Sequence, residues 1–202
     1  MRRQSTRGNR SRRWFAEWEA ARRGDIAAIA AEIGGEIKIR LDNDRTFTLN
    51  ARADRIERRA DGGYAILDYK TGQPPTGKQV RMGLSPQLTL EAAILREGGF
   101  ADIDAGASVG EIAYVRLSGN NPPGEHKTLE LKIRQNDTPQ LPDEAADYAR
   151  AQLEALIRRF ENPDEPYRSL VLSMWTARYG NYDNLARVKE WSAAGGIALE
   201  EY

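Results

Sequence analysis

Residues 36–70 form three stretches of alternating polar and apolar side chains, separated by two turn signals, and this pattern limits the chain to folds built on a strand meander. The first stretch, Glu36-Ile-Lys-Ile-Arg-Leu41, has a period of two and ends at Asp42-Asn43-Asp44. The return segment over residues 46–57 alternates in the same way, and Asp61-Gly62-Gly63 then turns the chain into Tyr64-Ala-Ile-Leu-Asp-Tyr-Lys70. Three consecutive antiparallel strands are expected.

Two carboxylates fall on this frame. Asp54 lies near the end of the second strand and Asp68 near the end of the third, at almost equal distances from the Asp61-Gly62 turn. They are therefore near cross-strand partners, about 5 Å apart. Two anions at that separation repel unless a cation sits between them, so the arrangement suits a hard divalent ion with oxygen ligands, such as Mg²⁺ or Mn²⁺. Lys70 follows Asp68 by two positions and shares its face of the strand. A metal held by Asp54, Asp68 and the backbone carbonyl of Tyr69, beside an ammonium group, fits phosphodiester hydrolysis. The bland alternative is an exposed ion pair between Asp68 and Lys70.

The remaining elements extend the meander into a layered α/β domain. Residues 14–31 follow helical spacing in two pieces interrupted at Gly24-Asp25, and Trp14 and Trp18 share one helix face as core. After the third strand, Thr71-Gly72 and Pro74-Pro75 open a polar loop that carries Lys78 and Arg81, two candidate phosphate contacts. Ser85-Pro86 predicts an N-cap and first turn for a helix over residues 86–97, stopped by Gly98-Gly99. Strands are predicted over 109–117 and 126–133, and a helix over 143–160. The expected fold class is α/β, a central mixed sheet flanked by helices. Three regions are expected: a disordered basic arm over 1–13, one domain over 14–160, and a C-terminal extension over 161–202.

Charge and composition narrow the function. Thirty basic residues balance thirty acidic ones, so only local clustering can favour a polyanion. The chain has no cysteine, which removes disulfides, zinc–thiolate sites and cysteine-ligated iron–sulfur clusters. No apolar stretch approaches the ~20 residues of a membrane span, and no phosphate-cradling Gly-x-x-x-x-Gly-Lys loop is present. A soluble cytoplasmic protein that does not itself hydrolyse ATP is expected.

The strings Ala51-Arg-Ala-Asp-Arg-Ile56 and Ala65-Ile-Leu-Asp-Tyr-Lys-Thr-Gly72, with Ser85-Pro-Gln-Leu-Thr-Leu-Glu91 downstream, resemble the PD-(D/E)XK nuclease superfamily and, within it, the RecB-like group. More narrowly, residues 47–95 and the tail over 182–191 resemble the C-terminal nuclease domains of the AddB family, subunits of bacterial AddAB helicase–nucleases that resect double-strand breaks. The resemblance implies a restriction-endonuclease-like core in which Asp54 and Asp68 bind metal. Lys70 and Gln87 complete the catalytic set, and a glutamate at the head of the first strand, Glu32 or alternatively Glu36, joins the metal.

It further implies a metal-dependent deoxyribonuclease of exonuclease type, acting in repair and recombination on single DNA strands fed by an AddA-like helicase partner. Three departures stand out. Ala51 replaces a usual glycine, and Glu91 stands where many relatives have tyrosine. The sole histidine, His126, lies after the core rather than on an upstream helix. A nuclease fold that binds DNA or a partner subunit without cutting is the alternative these departures leave open.

Overall fold

A computed structural model of the chain describes residues 3–42 and 44–166. The chain divides into two compact units, Met1–Arg158 and Arg159–Tyr202. The predicted extension and its 182–191 segment fall almost wholly outside the described residues; what is described of the second unit is a helix end and a turn in which Arg159 hydrogen-bonds Glu165.

The first unit holds a five-stranded sheet in the order β1-β2-β3-β4-β5. Its strands are β1 (Ile26–Arg40), β2 (Thr46–Arg59), β3 (Tyr64–Lys70), β4 (Val109–Leu117) and β5 (Gly124–Thr128). All neighbours are antiparallel except β3 and β4, which run parallel. A parallel pair needs a crossover, supplied here by the short α2 (Gly77–Arg81) and by α3 (Gln87–Arg96). This is the mixed α/β sheet the alternation predicts.

Helices cover both faces. On one, Ile56, Ile66, Ile112 and Tyr114 pack with Leu88, Ala92 and Leu95 of α3 and with Ala145 and Ala146 of α4 (Pro142–Phe160). Each large aliphatic side chain buried there contributes about 1.5–3 kcal/mol. On the other, Ala65, Leu67, Ala113 and Val115 are covered by Trp14 and Trp18 of α1 (Arg3–Arg22), whose rings stack at 6.0 Å. Gly35 lets the ring of Phe100 approach β1, where a Cβ would fall 2.4 Å from it.

Four boundaries differ from expectation. The arm over 1–13 is not left as coil: α1 begins at Arg3, arginine being a good helix former. An Arg13–Glu17 pair at 2.8 Å supports the helix, and Ser11 donates to Pro123 O and accepts from Gly119 N, fixing it to the β4–β5 loop. Residues 26–31, read as helical, instead open β1, because Ala28 to Ala31 pair with Arg55 to Arg58 and tertiary pairing overrides local spacing. Pro86 rather than Ser85 occupies the N-cap position of α3, and no side chain caps the helix there. Strand β5 stops at Thr128, earlier than the predicted 133.

Candidate active site

The β2–β3 ladder pairs Arg55 with Leu67 and Ile56 with Ile66, so the next position outward sets Asp54 opposite Asp68. The ladder ends there, and the Asp54 carboxylate takes over its role by accepting from the backbone N–H of Tyr69 at 2.9 Å. Asp68 is almost fully buried, with Lys70 Nζ 2.7 Å from its Oδ2. Burial pushes the Asp68 carboxyl above its ordinary range; Lys70 and Gln87 oppose this, and the nearby Asp54 charge adds to it.

Gln87 opens α3 directly over this pair. Its side-chain nitrogen donates to Asp68 Oδ1 at 2.8 Å and to Glu91 Oε1 at 3.1 Å, while its oxygen faces Lys70 Nζ at 3.5 Å. Asp54, Asp68, Lys70 and Gln87 are thus brought together. Tyr69 lies between Asp68 and Lys70 on β3, with its phenol 3.3 Å from Arg55.

The other expected residues are placed differently. Glu32 falls opposite Asp54 in the β1–β2 register, but it has a φ of 51° and its carboxylate pairs with Arg52 in solvent. Glu36 pairs with Asn50, four residues along β2 from Asp54. Lys78 borders a cleft beside β5, whereas Arg81 lies over the Tyr148 ring at 4.9 Å in a different groove. His126 is on the α1 face, against Trp18 and 3.0 Å from Glu111.

Two members of the site were not singled out from sequence. Glu91, read only as a departure from tyrosine, is buried, and its second oxygen has no hydrogen-bond partner. Burial raises its carboxyl to about 7; the Gln87 hydrogen bond opposes this, and the charges of Asp68 and Asp54 add to it. Tyr114 is the β4 neighbour of Asp68, with Lys70 Nζ 5.8 Å from its ring centre. Helical spacing of four from Gln87 was the available signal for Glu91.

The donor set fits a hard divalent cation of the Mg²⁺ type, which is held by one or two carboxylates and keeps several waters for a phosphate to replace. No group of three His, Cys, Asp or Glu side chains suited to a metal forms among the described residues. The pair Asp54 and Asp68 is the complement such an ion uses.

A model of the PD-(D/E)XK nuclease superfamily matches residues 1–173. The chain belongs to that superfamily. Its members are generally nucleases and typically use divalent metals. Among curated relatives, an uncharacterized protein of Rickettsia typhi is 40% identical over 86 residues, covering 43% of this chain and 10% of that protein. Uncharacterized proteins of Rickettsia bellii and Rickettsia conorii are each 38% identical over the same length, with the same coverage. The chain therefore spans no more than a small part of these relatives. A solved structure titled "Crystal structure of SSO0001" is similar at 12% identity and a TM-score of 0.37, covering 80% of this chain and 68% of that one. None of the described helices of this PD-(D/E)XK chain is long and apolar enough to cross a membrane.

Proposed function

We propose that this chain is a divalent-metal-dependent deoxyribonuclease domain, with Asp54, Asp68, Lys70 and Gln87 as its catalytic set. The observation that carries the reading is the meeting, on one face of the sheet, of two register-opposed carboxylates with a lysine 2.7 Å from one of them and a glutamine amide on the same group. Asp54 and Asp68 would hold the ion, Mg²⁺ or Mn²⁺, together with the Tyr69 carbonyl. The bound ion supplies Lewis acidity at the scissile phosphate and a lowered pKa for water. Lys70, one-third exposed, places a positive charge where negative charge grows on the phosphate oxygens. Gln87 keeps the Asp68 carboxylate turned toward the site and limits its rotation.

The substrate is DNA, taken as single strands at the ends of breaks being processed for recombinational repair. The motif resemblance to AddB-type domains supports this finer reading, in which an AddA-like helicase subunit unwinds the duplex and delivers the strand. A 5′-labelled single-stranded oligonucleotide incubated with Mg²⁺ or Mn²⁺ tests the chemistry, with Asp68→Ala and Lys70→Ala in parallel. Metal-dependent cutting by the wild type that both variants lose supports the proposal. Wild-type cutting no faster than the variants' leaves a nuclease fold that binds DNA or its partner without cleaving.

A further inference from the structure

The sheet register carries the catalytic face beyond the two aspartates. Asp68 pairs with Tyr114 on β4, and Tyr114 pairs with Lys127 on β5. Residues in one such row point to the same face of a sheet, so Lys127 stands on the catalytic face two strands from Asp68, about 10 Å away at ~4.8 Å per strand. Beside it opens a cleft of about 420 Å³ whose lining includes Lys78, Lys127, Lys132 and Arg134. Among the described residues its only acid is Glu130, already paired with Lys132 at 2.6 Å. Among the described residues no ion pair engages Lys78, Lys127 or Arg134.

This convergence is built into the backbone. A capping box between Thr76 and Gln79 fixes the start of α2, and Gly77 lies so close to the chain at Glu130 that a Cβ would fall 2.0 Å from the Glu130 carbonyl oxygen. Only glycine allows that approach, which brings Lys78 on α2 and Lys132, two residues after Glu130, to one cleft. In a chain of zero net charge, a local surplus of three positive charges leading off the catalytic row is a directional feature.

We propose that this cleft is the track for the phosphodiester backbone of a single nucleic-acid strand, which leaves the Asp54–Asp68 site over Lys127 and lies between Lys78, Lys132 and Arg134. The substrate class rests on the nuclease reading above. The track itself rests on the register and the cleft.

The test uses the full chain and its Lys127→Ala/Lys132→Ala/Arg134→Ala variant, with a fluorescein-labelled 20-mer of thymidine as the probe. Binding is read by anisotropy in EDTA over a salt series, and cleavage with Mg²⁺ is read on the 20-mer and on the p-nitrophenyl ester of thymidine 5′-phosphate, too short to reach the cleft. The expected outcome is binding weakened about tenfold or more. The magnitude of the log–log salt slope should fall by about 2, for three contacts at ~0.7 each on a single strand. KM on the 20-mer should rise, with turnover of the ester unchanged.

Lys38→Glu, on exposed β1 sequence, is the control: weakening equal to the triple variant's overturns the track in favour of diffuse charge. Unchanged binding and slope in the triple variant overturn it while leaving the catalytic proposal standing. Weakened binding in the triple variant, beside a wild type that cleaves neither substrate, upholds the track and removes the catalysis. If the triple variant melts early, Lys127→Glu alone carries the same comparison.

Discussion

Glu91 accepts a hydrogen bond from the side-chain nitrogen of Gln87 at 3.1 Å, from one helical turn further along α3. The same nitrogen donates to Asp68, so Glu91 fixes which end of the Gln87 amide faces the Asp68 carboxylate. Glu91→Ala is expected to free that amide and lower single-strand cleavage about five- to tenfold, the worth of one hydrogen bond of about 1–1.5 kcal/mol. Glu91→Gln keeps an acceptor oxygen and should recover most of the rate. Single-turnover cleavage by the two variants checks this, and equal losses in both would count against an orienting role.

Glu91 also ties stability to pH in metal-free buffer. Burial first, with repulsion from Asp68 and Asp54, raises its folded carboxyl from 4.5 to about 7 against the opposing Gln87 hydrogen bond. Between those values the folded state binds a proton that the unfolded chain has released, so this group's contribution to stability falls as pH rises through the window. The whole effect is at most about 3 kcal/mol. Melting temperatures from pH 4.5 to 8 in EDTA should decline less steeply for Glu91→Gln than for the wild type. Parallel curves would show that Glu91 is not the group responsible.

Lys70 separates catalysis from folding. Its side chain is one-third exposed but its partner Asp68 is buried and keeps only Gln87 as a donor, so Lys70→Ala should cost about 1–3 kcal/mol of stability. Cleavage should fall on the order of 10²- to 10³-fold, as for other donors aimed at developing charge. Lys70→Arg should not restore it, because a planar fork replaces a point charge at a fitted position. Denaturant melts alongside rate measurements separate the two effects.

The packing of α1 is tested at Gly124, where an added Cβ would fall 2.0 Å from the Trp14 ring. Gly124→Ala is expected to displace that ring and cost about 1–3 kcal/mol, typical of overpacking. A shift in tryptophan fluorescence should accompany the lower melting temperature. An unchanged spectrum would mean that α1 does not pack at Gly124 in solution.

The site was legible in the sequence where it depended on local geometry. Asp54 and Asp68 sit eight residues before and six after Gly62, so the hairpin turn nearly fixed their register, and the two-residue step to Lys70 fixed its face. What depended on tertiary burial was not legible. Arg55, Glu57 and Glu111 alternate with apolar residues and look like charges on an open sheet surface; nothing in their spacing shows that α1 covers them. The same cover turned an arginine-rich stretch, read as a loose arm, into part of a helix. Glu91 was obscured for a related reason: a buried acid on an otherwise apolar helix face is recognisable only once Gln87 and Asp68 are seen to converge on it.

The covered charges yield a last prediction. Glu111 on β4 meets Arg22 of α1 at 2.6 Å, Arg59 of β2 at 3.0 Å, and His126 and Thr128 of β5, each at 3.0 Å. Burial opposes its ionisation, yet the hydrogen bonds from His126, Arg22 and Thr128 outweigh burial and hold the carboxyl down at about 2. With a folded value below the ordinary 4.5, its contribution is fully present above pH 4.5 and is lost as pH falls toward 2. Glu111→Gln removes that charge and leaves the Arg22 guanidinium, only 11% exposed, with Glu57 as its remaining acidic partner. Breaking a buried pair from one side costs about 3–5 kcal/mol, so the variant should be destabilised at neutral pH and nearly matched to wild type at pH 2. Urea titrations at pH 7 and pH 2 measure both ends. A gap that stays constant between them would mean that Glu111 acts through packing rather than through its charge.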